Sequence, residues 1–264
     1  MNWTPSMSVG MTRMVVIATV LAVSTVGAVP AAGDAAKDAR DAQQLVDRAK
    51  LTVESFVADG TVGPSVRNLI KKAKGVYIAP EVLRGAFIVG ASGGSGVLLV
   101  RGDKGRWNGP AFYTIGEASF GLQAGVDKSE VMLLVMSDRG VSAMLASSVK
   151  LGGDVSVAAG PVGAGATAET ANISADILSF ARAKGLYAGA SLEGAVMAKR
   201  EGLNEAYYNK SDITPTDILI KGAVANKQAE PSRTRSTTSQ PGALTDVSSV
   251  WAGGVSLFGL FLDR

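Results

Sequence analysis

Apolar positions crowd one stretch of this chain, residues 74–101 (KGVYIAPEVLRGAFIVGASGGSGVLLVR), in runs that hardly alternate with polar ones. The pattern predicts three short strands, over residues 76–79, 85–91 and 96–100. The first ends at Pro80, and residues 92–96 form a glycine-serine turn. A sheet with one face in water would show a polar side chain at every second position. Runs that are apolar at both parities predict that both faces of these strands are covered.

Residues 34–59 follow a different period. Ala42, Leu45, Val46, Ala49, Val53, Phe56 and Val57 recur at three- and four-residue steps and form one stripe of an amphipathic helix. The remaining positions carry more acids than bases. The helix is therefore expected to pack on the domain and not to lie on a membrane, where Lys and Arg would prevail. Gly60 and Gly63 break it. Pro64 opens a second helix that runs to about residue 73, with Val66, Leu69, Ile70 and Ala73 on its apolar side.

Further along, residues 106–120 read as an extended run that 121–126 continue, followed by a turn at 127–129 and a central strand at 131–136 (VMLLVM). Ser137 and Asp138 are placed to cap a helix over 139–147. Strands are expected at 154–159, 176–183 and 186–198, with Lys184 and Gly185 turning between the last two. A short helix or turn follows at 200–209, and Thr214-Pro215 starts another helix to about residue 221. The expected class is α+β: a curved, mostly antiparallel sheet, open to partial closure as a barrel, flanked by N-terminal helices and short C-terminal helices. The 32 glycines, many inside strand-like runs, favour tight curvature.

The two ends of the chain read differently. Residues 1–32 hold one charged side chain, Arg13, then an apolar run over 14–26 and small residues up to Ala32. That is the pattern of a secretion signal, with cleavage after Ala28 or Ala31. An uncleaved anchor is the alternative, and the run is short for the ~20 residues of a membrane span. A periplasmic or secreted protein, peripheral on a membrane, is the expected location. Residues 34–225 make the folded domain. Residues 229–246, poor in apolar side chains and rich in Ser, Thr, Pro and Arg, read as a flexible solvated linker. Residues 247–264 are an apolar tail whose Trp251, Leu257, Phe258, Leu260 and Phe261 could dock on the domain or on lipid.

Composition then narrows the chemistry. The chain contains no His and no Cys. This excludes Ser-His-Asp and Cys-His nucleophiles, imidazole bases, the usual zinc sites, His-held haem and iron–sulfur clusters. Glu117, Asp154, Asp176 and Glu193 lie in or beside predicted strands, and no spacing brings two of them together for acid–base work. No catalytic residue is assigned, the chain is read as a non-enzyme, and neither cofactor nor metal is expected. The segment GAGATA, residues 163–168, fits a dinucleotide pattern. It lacks the following helix and the acid ~20 residues on, so it reads as a turn. A formal charge of +3 is too mild to suggest a nucleic-acid partner. Strands, glycines and a leader would also suit an outer-membrane barrel. The absence of clean alternation and the bracketing helices argue against one.

Charge is concentrated in one place. Arg67, Lys71 and Lys74 stand at i, i+4 and i+7 with Lys72 beside them, and no acid occurs between Asp59 and Glu81. Arg84, Arg101, Lys104 and Arg106 flank predicted turns and are candidates to extend the patch. Several ordered blocks, KGVYIAP, RGAFIVGASGGSGVLLVR, RWNGPAFYTIGEASFGLQAG, VKLGGDVSVAAGPVG, ILSFARAKGLYAGASLEGAV and NEAYYNKSDITPTDIL, resemble the SYLF lipid-binding domain family over roughly residues 40–221. The resemblance implies a helix-flanked β domain that binds phosphoinositides or other anionic lipids and, in eukaryotic relatives, actin and endocytic partners. Secreted bacterial members are similar in sequence. The resulting expectation is non-catalytic binding of an anionic phospholipid surface through Arg67, Lys71, Lys72, Lys74 and Arg84. A structural or protein-interaction module of the cell envelope, its protein partners unknown, is the alternative.

Overall fold

Pro80 shapes the sheet. In the computed structural model, which describes residues 32–86, 89–102, 105–120, 125–162 and 174–222, strand β1 (Gly75–Ala86) does not stop at this proline but runs through it. Its pairing with β2 (Val89–Arg101) shifts by one residue between Ile78 and Glu81. Its pairing with β4 (Gly125–Val135) shifts between Ala79 and Val82. A proline cannot donate to either ladder, so the strand carries it as a bulge on both sides. The expected glycine-serine turn at 92–96 is likewise strand. The antiparallel hairpin closes further on, with Ala86 opposite Gly90.

Those glycines are needed where the bulge presses on β2. A Cβ on Gly94 would lie 2.2 Å from the Glu81 carbonyl oxygen. One on Gly96 would lie 2.4 Å from that of Ile78 and 2.6 Å from the Tyr77 ring. No side chain fits at either point. The turn expected at 127–129 is also strand. Its charged residues are accommodated by partners on neighbouring chain, Asp127 with Lys184 at 3.0 Å and Lys128 with Glu81 at 3.2 Å.

The nine strands among the described residues run in the order β5-β9-β3-β2-β1-β4-β7-β6, with β8 paired to β7. Here β3 is Trp107–Phe120, β5 Ser148–Lys150, β6 Val157–Ala159, β7 Ile177–Ala183, β8 Leu186–Gly189 and β9 Val196–Lys199. Every pair is antiparallel except β6 with β7. The sheet curls into a half-barrel, and the class is α+β as expected. The single strand expected over 186–198 is two, because the chain leaves β7 after Gly189 and crosses to pair β9 with β3. Strand β5 was not visible in the residue pattern.

Both sheet faces are apolar for the reason their sequence implied. Val76, Ile78, Met132 and Leu134 face one core, and Tyr77, Ala79, Leu133 and Val135 face the other. Helices α1 (Ala32–Ala58), α2 (Gly63–Lys72) and α4 (Glu201–Tyr208) cover the first. The whole predicted stripe of α1, from Ala42 to Val57, is buried there. No ion pair among the described residues involves α1. Its attachment rests mainly on burial worth about 1.5–3 kcal/mol per large side chain, with the Ser55 hydroxyl accepting from Arg182 Nη1 at 2.7 Å. Helices α3 (Asp138–Met144) and α5 (Pro215–Leu219) and residues 149–155 close the second core. Ser137 caps α3, and Thr214 with Asp217 forms the capping box of α5, as their residue types predicted.

The close approach at the bulge yields a paired test. Gly96→Ala should cost more than about 2 kcal/mol of stability through overpacking against backbone and a buried ring. Gly93→Ala, whose Cβ would meet only the Ile115 carbonyl oxygen at 3.8 Å, should be neutral or slightly stabilising. Urea midpoints of the two variants measure the difference. Equal midpoints would contradict the role given to the bulge.

Candidate functional site

Helix α2 ends in the cations that the sequence singled out, and each meets a different fate. Arg67, one turn back, donates from Nη1 to the carbonyl of Val57 in the last turn of α1. It serves as a cap for carbonyls that lack helical partners. The linking turn is held on its other side by Asp59, whose Oδ1 accepts from the amides of Thr61 at 2.8 Å and Val62 at 2.9 Å. Lys74, just past the helix, is ion-paired with Asp138 at the start of α3. Lys71 and Lys72 are exposed in the last turn and make no ion pair among the described residues. Their position beside the negative end of the helix dipole suits a lysine without neutralising its charge.

Arg101, at the end of β2, comes to the same place from the sheet side. Its Nη2 donates to the Ile70 carbonyl at 3.0 Å, and its guanidinium lies 4.7 Å from the centre of the Trp107 ring. The backbone there is tied as well, Arg101 N donating to Lys74 O at 2.7 Å. Burial lowers the Arg101 pKa from its ordinary value. Arg106, in the same β2–β3 connection, is exposed, and Gly102 N donates to its carbonyl at 2.8 Å. Lys104 lies outside the described residues. Arg84 is not part of this group. It sits ten positions along β1 from Lys74, about 30 Å at strand rise, opposite Ser92 and Asp127. The structure thus gathers Lys71, Lys72 and Arg106 at one end as cations without an ion pair among the described residues. Arg67, Lys74 and Arg101 make local contacts there, and Arg84 is left at the other end.

The four carboxylates weighed for catalysis are dispersed. Glu117 stands on β3 opposite Ser92, and Asp154 Oδ2 accepts from Lys150 N at 2.8 Å. Glu193 is exposed beside Gly152. Asp176 is buried and structural. It accepts from the hydroxyl of Ser137, from the Ser156 hydroxyl at 2.7 Å and from the Ser156 amide at 3.1 Å, with Arg139 at 3.8 Å. No cluster of three or more metal-ligating side chains occurs among the described residues. The glycine segment 163–168 lies outside them.

The residue pattern puts Asn204, Tyr207 and Tyr208 on the short helix or turn at 200–209 and gives Asn204 no role. Its buried side chain accepts from Phe112 N at 2.9 Å and donates to Phe112 O at 3.3 Å. It closes the β3 edge where pairing with β9 stops at Tyr113. Tyr207 packs edge-on against Phe112 and Tyr208 donates to the Pro110 carbonyl at 2.8 Å. The NEAYYNK block is therefore a clamp on the sheet edge.

The model of a family described as Ysc84, Las17-binding protein actin regulator, matches residues 116–235. "SH3 domain-containing YSC84-like protein 1" of Homo sapiens is 34% identical over 165 residues, 62% of this chain and 48% of its own length. The Xenopus laevis protein of that name is 33% identical over 155 residues, 58% of this chain and 46% of its own length. "Protein YSC84" of Saccharomyces cerevisiae is 33% identical over 174 residues, 64% of this chain and 36% of its own length. The chain spans about half the length of these animal relatives, and less of the yeast one.

The Asp176 carboxylate sets a pH dependence. The hydroxyls of Ser137 and then Ser156 hold its pKa below the usual value, with burial acting the other way. Its contribution is therefore complete above the unfolded value near ~4 and is lost as pH falls through the lowered folded value. Asp176→Asn should lose about 2–3 kcal/mol at neutral pH. The variant should also show a flatter decline in stability below about pH 4. Urea unfolding at pH 7 and at pH 3 compares them, and parallel acid limbs would refute the assignment.

Proposed function

The domain of this chain belongs to the SYLF (Ysc84) family, and from that premise we propose that it is a non-catalytic binding module that meets anionic phospholipid at a membrane surface. The observation that carries the reading is the group of exposed cations Lys71, Lys72 and Arg106 at one end of the domain, which make no ion pair among the described residues. Asp138, at the start of α3, is engaged by Lys74. Three such cations near an anionic surface supply about 3 kcal/mol, which is weak and sensitive to salt. The leader pattern expected over residues 1–32 supports a location in the cell envelope, periplasmic or secreted.

A second reading is favoured by the family's description, which names a protein ligand and actin regulation. Under it the same end of the domain would meet an acidic protein, and vesicles would have no effect.

Vesicle co-sedimentation separates the two. The chain from Ala32 onward keeps every described element. It should bind vesicles containing anionic lipid, ignore neutral ones, and dissociate as salt rises. Lys71→Gln with Lys72→Gln should weaken binding about 30-fold, at ~1 kcal/mol for each charge. Arg84→Gln should leave it unchanged. Binding that ignores lipid charge, or that survives loss of both lysines, would refute the proposal.

A further inference from the structure

Lys74 is the exception among the cations beside the end of α2. Lys71, Lys72 and Arg106 make no ion pair among the described residues, whereas Lys74 is paired with Asp138, 64 residues on. The backbone fixes the match. Lys74 N donates to Val135 O at 2.8 Å and Lys74 O accepts from Arg101 N at 2.7 Å, which clamps the residue between the ends of β4 and β2. Strand β4 stops at Val135, Ser137 caps α3 by accepting from Gly140 N at 2.9 Å, and Asp138 is the first residue of that helix. Once these strands pair, the Asp138 carboxylate is delivered to Lys74 Nζ.

The pair is open to water. The Asp138 side chain is 87% exposed and that of Lys74 43%. Pairs so exposed add little to stability. A neighbouring acid shows the contrast. Asp176, whose carbonyl accepts from Met136 N at 2.7 Å, is buried and taken up by the hydroxyls of Ser137 and Ser156, with Arg139 at 3.8 Å. Asp138 is therefore an acid held out at the end of the domain that presents Lys71, Lys72 and Arg106. A contact that contributes little to the fold still decides what Lys74 can meet: its charge is cancelled at contact range and its Nζ is occupied.

We propose that Asp138 is a built-in competitor of the membrane: it occupies Lys74, and so sets how densely charged a surface must be before the domain binds it. The inference rests on the phospholipid reading above and adds its regulation. Lys71, Lys72 and Arg106 make the first contact. Lys74 joins them when lipid phosphates displace one exposed carboxylate, which a crowded anionic surface does and a sparse one does not. A repulsive group placed in this way discriminates between surfaces and does not add affinity. The test uses the full chain and vesicles of rising anionic lipid content. Asp138→Asn keeps the side chain's size and the Ser137 cap and removes the competitor. It should bind about five-fold more tightly, the effect of one added charge near the surface, with a steeper loss on adding salt. Half-binding should move to a lower anionic fraction, and Asp138→Glu, which restores the carboxylate, should bring it back toward the parent's.

A double-mutant cycle separates this role from a general repulsion by Asp138. Lys74→Gln should weaken binding about five-fold in the Asp138→Asn background, where the lysine is released, and clearly less in the parent. If Asp138→Asn binds no more tightly than the parent, or if Lys74→Gln costs the same in both backgrounds, the competitor role is overturned. The phospholipid reading then stands where Lys71→Gln with Lys72→Gln still weakens binding. If the parent and Asp138→Asn both ignore anionic vesicles, both fall.

Discussion

A proline in the middle of a paired strand sets the terms for the rest of this fold. Pro80 removes a donor from a strand with neighbours on both sides, and the ladder absorbs the loss by bulging toward β2 and β4 together. The bulge brings the carbonyls of Ile78 and Glu81 so near β2 that only hydrogen fits at Gly94 and Gly96. Tyr77 then lies over Gly96, fully buried, and burial raises its pKa far above the usual tyrosine range. Bulges increase local twist, so the same feature that costs hydrogen bonds helps curl the sheet into a half-barrel with a core on each side. Pro110 repeats the device: the β2–β3 register shifts between Leu98 and Val100, and Tyr208 takes up the Pro110 carbonyl.

The cationic end depends on this scaffold through a division of labour between side-chain types. Arg67 and Arg101 each lend a guanidinium to a helix carbonyl, a task suited to a planar group with several donors. They hold the end of α1 against α2 and the end of α2 against the β2–β3 connection. The lysines are compact charges on flexible stems and remain in water, where a diffuse anionic surface can reach them. A regular basic stripe in the sequence thus separates into residues that build the platform and residues that present charge from it.

What could be read from the residues, and what could not, follows the range of the interactions involved. The α1 stripe, the proline start of α2, the Ser137 cap and the Thr214-Pro215 start were all legible, since each depends on neighbours within one or two helical turns. The covering of both sheet faces was legible from runs such as VMLLVM. The glycines at 92–96 were misread as a turn because their purpose is to admit backbone from β1, a contact set by the bulge and invisible in composition. The charges at 127–129 were misread for a similar reason, since the ion pairs with Lys184 and Glu81 exist only after the strands have paired. Arg84 seemed equivalent to Lys74 in a list of cations. A continuous strand through Pro80 carries it to the far end of the sheet.

The blocks that identify the family are mostly the parts that make the fold. KGVYIAP carries the bulge, the GASGGSG run receives it, and NEAYYNK clamps the β3 edge through Asn204 and Tyr208. The exposed cations stand at the margins of these blocks, Lys71 and Lys72 just before the first and Arg106 at the head of the third. Two chains can therefore share the entire scaffold and still differ in the charge they present. The blocks that match the family build the curved sheet and its helical cover, whereas the proposed surface binding rests on a few exposed positions beside them.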